Sequence, residues 1–297
     1  MGKFYIFYNP KSCNDKGTAL AKGVEEYLSG KEYTYVDVTA LTNYAEFVSG
    51  LKEDDNIVIA GGDGTLNNFI NATRGVKYSS KVWYYPAGSG NDFWNDVVIY
   101  GKNDKKDKHY RNILCIDDYI KCLPEVSVDG RNYLFLNNVG FGLDGYCCEE
   151  ADRQKEKNNN KKINYTLIAL KALIYAYKPT NAKVTVDGVT REYRKVWLAP
   201  TMNGRFYGGG MMATPGQDRL NDRNTVSVMI VNGAGKFKLL PIFPKIFNGS
   251  HVSHTDVVEI LKGKHVIVEF DRPSPVQIDG ETVRGIKRYE VKTYTQS

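Results

Sequence analysis

The sequence predicts a two-domain chain, an α/β layer domain followed by a β-rich, sandwich-like one, and three observations carry that prediction. Up to about Leu123, short apolar strands alternate with helical stretches. Beyond it the pattern turns to many short strands, several separated by Asp-Gly turn signals. The length of 297 residues suits two domains of ordinary size.

In the first domain, 1–123, Lys3 to Tyr8, Tyr33 to Val38, Asn56 to Ala60 and Val82 to Tyr85 read as strands, and Leu20, Val24, Tyr27 and Leu28 share one helical face. Polar or glycine-rich loops follow these strands, at the carboxyl ends where open α/β sheets bind ligands. In the second, 124–286, strands are expected at Glu125 to Val128, Tyr133 to Asn138, Lys183 to Val186, Tyr193 to Ala199, Thr225 to Val231, Val257 to Leu261, His265 to Phe270 and Val276 to Ile278. One helical stretch, Leu143 to Ala176, is interrupted by a Lys and Asn run. A last strand, Tyr289 to Tyr294, leaves 287–297 free to return to the first domain.

With 42% hydrophobic and 25% charged residues, the composition is that of a folded globular protein. The net charge of +6 suits phosphates or an anionic membrane surface, and no nucleic-acid partner is expected. Lys102, Lys105, Lys106 and Lys108 form one basic cluster. Arg153, Lys155, Lys157, Lys161 and Lys162 form another, which is the expected contact for anionic lipid. The five cysteines include no C-x-x-C pair, so neither disulfides nor zinc are indicated. The N-terminus opens on a strand without signal-peptide blocks, and Tyr165 to Tyr177 is too short to span a bilayer. A cytoplasmic protein, peripheral at the inner membrane surface, is expected. His109, His251, His254 and His265 show no metal pattern. Leu167, Leu170, Ile174 and Tyr177, at helical spacing, are expected to pack on their own domain.

The chemistry concentrates in two loops. After the strand Asn56 to Ala60 comes Gly61-Gly62-Asp63-Gly64-Thr65, opening a helix: glycines let backbone N–H groups approach a phosphate, and the helix N-terminus favours its charge. A carboxylate there, Asp63, makes sense with Mg²⁺ between it and a polyphosphate. Replacing Asp63 is therefore expected to stop turnover and spare the fold. Gly64 is expected to resist a Cβ, through a clash with phosphate or a positive φ. The bland alternative is a capped strand-to-helix turn. One strand later Pro86-Ala87-Gly88-Ser89-Gly90-Asn91-Asp92-Phe93 repeats the arrangement.

These residues resemble the diacylglycerol kinase catalytic-domain family, shared with sphingosine and ceramide kinases. Asn9-Pro10-Lys11-Ser12, Asn137 to Asp144, Asn203-Gly204, Gly208 to Gly210 and Asp279-Gly280-Glu281 continue the likeness over nearly the whole chain, closest to soluble bacterial lipid kinases. The resemblance implies ATP and Mg²⁺ in a cleft between a nucleotide domain and a β-sandwich, and a lipid such as diacylglycerol as phosphate acceptor. It implies Asp63 at the phosphate and metal centre and Asp279 as base, with Asn9, Pro10, Lys11, Gly61, Gly62, Gly64, Thr65, Gly88, Ser89, Asn91, Asp92 and Glu281 around the nucleotide. Glu281, two residues beyond Asp279 on an extended segment, is expected on the same side. On local sequence alone Asp279-Gly280 is a hairpin turn.

Two positions depart from the family. Cys13 stands where the first loop often has glycine. The stretch Pro215 to Arg223 only loosely matches the loop that holds a structural Mg²⁺, with Asp218, Leu220 and Asp222 as its ligands and Arg223 in the place of a glycine. An NAD kinase shares the Gly-Gly-Asp-Gly-Thr turn, but its later Asn-Glu pair has no counterpart here. A non-enzymatic nucleotide sensor is expected to have lost Asp63 or Asp279.

Overall fold

The computed structural model describes residues 2–88, 90–100, 113–157, 163–221 and 223–293. The chain divides into two compact units, Met1–Lys121 and Cys122–Ser297. In the first, strands β1 (Phe4–Tyr8), β2 (Tyr33–Asp37), β3 (Asn56–Gly61), β4 (Lys81–Pro86) and β5 (Leu114–Cys115) form one sheet in the order β2-β1-β3-β4-β5. The first four are parallel, and β5 closes the edge antiparallel to β4.

The central strand reads as an unbroken apolar run because it is covered on both faces, Ile57 to Ile59 being fully buried. One face packs Ile6, Val58 and Ala60 against Ala21, Val24 and Leu28. The expected helical face at Leu20 to Leu28 is split between a short α-helix, Gly17–Ala21, and a 3₁₀ stretch, Lys22–Tyr27. The other face is aromatic: Phe7 lies edge-on to Phe47 and Phe69, from helices Tyr44–Ser49 and Asp63–Ala72.

The second unit contains strands β6 (Glu125–Val128), β7 (Arg131–Leu134), β8 (Asn138–Gly142), β9 (Thr180–Val186), β10 (Val189–Val196), β11 (Leu198–Met202), β12 (Phe206–Tyr207), β13 (Met211–Met212), β14 (Val226–Val231), β15 (Val258–Gly263), β16 (His265–Ile278) and β17 (Glu281–Lys292). Ten of them make one antiparallel sheet with the path β15-β14-β11-β8-β16-β17-β6-β7, β9 and β10 branching from β16. Val126 on β6 and Val228 on β14, far apart in that order, lie in one core, so the sheet folds over on itself in a sandwich. A second core lies under helices Leu143–Lys157 and Tyr165–Lys171, the latter continued by a π turn, Ala172–Ala176.

Several strands differ from expectation in extent. Tyr133 to Asn138 breaks at Phe135 to Asn137, and the two strands expected at His265 and Val276 are one bulged strand, β16. The terminal strand does not return to the first unit: β17 pairs with β16 on one side and with β6 on the other. Its buried Tyr289 and Val291 belong to the core of the second unit. Three Asp-Gly pairs are two-residue hairpin turns with both residues at positive φ, at Asp129-Gly130, Asp187-Gly188 and Asp279-Gly280, whereas Asp63-Gly64 and Asp144-Gly145 lie in helices. No helix among the described residues is long and apolar enough to cross a membrane.

Candidate active site

Three loops leave the carboxyl ends of adjacent strands β1, β3 and β4. After β1, the Asn9 side chain accepts the Lys11 N–H at 2.9 Å and the Asn9 carbonyl takes the Ser12 N–H and hydroxyl, closing Asn9-Pro10-Lys11 into a tight turn. After β3, Gly62 caps the helix Asp63–Ala72, its carbonyl accepting the N–H groups of Thr65 and Leu66. After β4, the ladder runs one step further, Ala87 N–H to Gly61 carbonyl at 3.0 Å.

The last two loops then touch. A Cβ on Gly88 would lie 2.2 Å from the Gly62 Cα, and one on Gly62 would lie 2.9 Å from the Gly90 carbonyl oxygen. The Asn91 side chain donates to the Gly88 carbonyl and accepts from the hydroxyl of buried Tyr84. Asp63 completes the junction: its carboxylate accepts the backbone N–H groups of Asp92 at 2.7 Å and Phe93 at 3.2 Å. Asp63 thus caps the short helix of the neighbouring loop, a role that neither the phosphate nor the self-capping reading of the sequence contained. It brings Gly61, Gly62, Asp63, Gly64 and Thr65 together with Gly88, Asn91 and Asp92 in one cradle. Ser89 lies outside the described residues.

Gly64 behaves differently from Gly62 and Gly88. Its φ is not in the left-handed region, and a Cβ there would meet no heavy atom within 4 Å. The expectation of a positive φ is therefore corrected, and the open space beside Gly64 fits a ligand.

In the second unit, Asp279 is the first turn residue between β16 and β17, with φ 47°. Its carboxylate accepts N–H groups from Leu136, Asn137 (2.7 Å) and Asn138 (3.0 Å), the segment that breaks the expected strand. Burial pushes the Asp279 carboxyl up from the usual range, while those N–H groups and the Arg219 guanidinium pull it back. Arg219 is itself buried and donates to the Leu136 carbonyl and the Asn137 side chain, and Asn203 donates to the same carbonyl at 3.0 Å. Asn138, also buried, has a side-chain N–H₂ without a hydrogen-bond partner. Glu281 is exposed and is the cross-strand partner of Ile278. The turn, not an extended segment, joins it to Asp279, so the period-two expectation fails.

One residue of the Asn137 to Asp144 segment has an environment that its letter does not announce. Asp144, at the start of helix Leu143–Lys157, is buried with its carboxylate on the Gly145 N–H and 3.5 Å from the Gln277 amide; burial pushes its carboxyl up to about 7.

The loop 215–223, expected to hold Mg²⁺, is tied among its described residues by its own hydrogen bonds. The Asp218 carboxylate accepts the Leu220 N–H at 3.1 Å. The carbonyls of Asp218 and Thr225, oxygens that a cation would gather, receive N–H donors from the carboxamides of Gln217 and Asn221 instead. Asp222 lies outside the described residues, and among those described no group of three or more His, Cys, Asp or Glu could hold a metal.

Three measurements follow from this geometry. Gly88→Ala should unfold the first unit, whereas Gly64→Ala should keep its melting temperature and weaken ATP binding roughly tenfold; equal melting losses in both would remove the distinction. Mg²⁺ without nucleotide should leave the melting temperature unchanged, since only a bound ion stabilises; a rise would restore the metal loop. For Asp144, the folded carboxyl at about 7 lies above the ordinary 3.8, so its stabilising contribution is complete at acid pH and is lost as pH rises through 7. Asp144→Asn should flatten the unfolding free energy between pH 4 and 8, removing a slope that totals roughly 4 kcal/mol at most. Urea melts across that range with an unchanged slope would contradict the assignment.

Comparison with known proteins places both units. Residues 3–114 match the family model of the diacylglycerol kinase catalytic domain, and residues 137–289 match that of the YegS C-terminal NAD kinase β-sandwich-like domain. YtlR of Bacillus subtilis (strain 168) is 24% identical over 300 residues, covering 95% of this chain and 94% of its own length. A diacylglycerol kinase of Mycobacterium tuberculosis (strain H37Rv) is 25% identical over 276 residues, with coverage of 91% and 85%. The crystal structure of a diacylglycerol kinase from Bacillus anthracis superposes with a TM-score of 0.62 at 19% identity, covering 99% of this chain and 94% of that one, a likeness of fold. With both units matched in order along the sequence, this chain belongs to the diacylglycerol kinase catalytic-domain family and is a phosphotransferase that takes an alcohol group as acceptor.

Proposed function

We propose that the chain transfers the γ-phosphate of ATP to the hydroxyl of a membrane lipid, and that diacylglycerol is the acceptor, giving phosphatidic acid. The observation that carries the donor half is the cradle of two glycine loops tied by Asp63, with open space beside Gly64 at the N-terminus of a helix. ATP enters as its Mg²⁺ complex, and Asn9, Pro10 and Lys11 contribute from the adjacent strand end. Support for the acceptor half comes from the name of the Mycobacterium tuberculosis relative, which matches both units.

Phosphoryl transfer asks the protein for positioning and charge neutralisation, and for one group to accept the hydroxyl proton. We assign that proton to Asp279. Burial raises its basicity, three backbone donors fix its orientation, and the Arg219 guanidinium favours its charged form. The unpartnered Asn138 amide beside it supplies a donor for an oxygen of the acceptor. Asp63 acts by holding the cradle. Its replacement by alanine strands two N–H groups and should cost about 1–3 kcal/mol of stability as well as turnover.

The test is transfer of labelled γ-phosphate to lipids in mixed micelles, with NAD as control acceptor. Label should appear in diacylglycerol, and Asp279→Asn should lower kcat by about 10² to 10⁴ with the ATP KM little changed. Label in NAD, or a loss confined to ATP binding, would overturn the assignment.

A further inference from the structure

The helix Tyr165–Lys171 and its π continuation bury only one side. Ile168, Ala172 and Leu173 enter the core of the second unit, and Tyr177 packs against Trp197. Leu167 and Leu170, expected to pack with them, are exposed, and Tyr175 is 82% exposed. A second segment joins this face. The Lys236 ammonium donates to the Ile174 carbonyl at 3.1 Å and stands 5.7 Å from the ring centre of Phe237, which is 81% exposed. Between the two segments lies a narrow crevice of carbon side chains, among them Leu173, Leu239, Ile242 and Phe243.

Charge singles out the occupant. Residues 163–178 and 233–253 contain Lys171, Lys178, Lys236, Lys238 and Lys245 and not one Asp or Glu. Lys238 pairs with Asp256 just outside. Protein interfaces favour aromatics but deplete lysine from their cores. Aromatic rings standing among lysines, without acids, suit instead the boundary between anionic headgroups and acyl chains, where rings enter the interface and ammonium groups meet phosphates.

We propose that this face of the second unit is a docking surface for an anionic bilayer, with Tyr175 and Phe237 as its inserted anchors and Leu167 and Leu170 beside them. The basic run ending at Lys162 is then not required for contact. The proposal deepens the lipid-kinase reading by naming how the chain reaches its acceptor, but it concerns binding alone and is measured without ATP or diacylglycerol.

The experiment is co-sedimentation of the full chain with vesicles of phosphatidylcholine alone and of phosphatidylcholine with phosphatidylglycerol. The parent should bind the anionic vesicles at least tenfold more tightly, and salt should weaken that preference. Tyr175→Gln with Phe237→Gln should lose about tenfold or more in binding, keep the melting temperature because both rings are exposed, and retain activity on a dispersed short-chain diacylglycerol. Lys171→Gln with Lys178→Gln should reduce the anionic preference. Undiminished binding by the aromatic variant, or equal binding of the parent to both vesicles, overturns the proposal. So does an aromatic variant that changes a dimer to a monomer in sedimentation equilibrium while the parent ignores vesicles, which would make the face a contact with a second copy. A parent without kinase activity whose vesicle binding is still lost in the aromatic variant would instead count against the kinase reading and leave the docking surface standing.

Discussion

Two carboxylates, Asp63 and Asp279, hold backbone that belongs to other parts of the chain, and the arrangement of both candidate loops depends on that. A loop near a ligand cannot satisfy its N–H groups through a sheet or helix, and leaving them bare inside a protein is expensive. Asp63 accepts two such groups from the loop after β4. The bond works only because Gly62 and Gly88 lack side chains, so the two turns lie in contact. Glycine and aspartate here are parts of one device: the first allows the approach and the second fixes it.

The same economy appears in the second unit on a larger scale. Asp279 takes three N–H groups from Leu136 to Asn138, and the carbonyl side of that segment is met by Arg219 and Asn203. The segment is an interruption between β7 and β8 whose polar groups are satisfied from three distant places in the sequence. Buried polar networks of this kind keep one geometry when every member is paired. Asn138, whose amide has no partner, is the member left over, and its neighbour Asp279 is the residue for which a proton-accepting role is proposed.

Much of this was legible in the sequence. The parallel strands of the first unit declare themselves because strands covered on both faces are written as apolar runs, and the hairpins because Asp-Gly tolerates two successive positive φ values. The glycine loops were visible as a pair, though not their contact, since nothing local says that Gly88 rests on Gly62. The position of Glu281 is not legible, because a turn and a strand look alike over three residues. The loop around Asp218 was read by its carboxylates, whereas Gln217 and Asn221, ordinary polar letters, do the gathering of carbonyls. Leu167 and Leu170 were assigned to a core by spacing, but periodicity does not say which of two faces is buried. The burial of Asp144 gave no signal, because a buried aspartate and an exposed one are the same letter.

The pairing of β17 with β6 has a consequence for the making of the molecule. Strand β6 leaves the ribosome with the first third of the second unit, yet its partner residues, Tyr289 to Lys292, follow only after strands β7 to β16. The sheet's central strand β16 is almost as late, and β8 waits for it. At about 5–20 residues per second, β6 spends on the order of 10 s without its neighbour. The first unit has all its strands in hand by residue 115 and can fold while synthesis continues. The second has to assemble from distant pieces once β16 and β17 are made, the slow kind of folding that nonlocal strand pairing imposes. Nascent chains that stall before residue 281 would therefore carry a complete first unit and an unclosed sheet, with the edge of β6 open to pair with another chain.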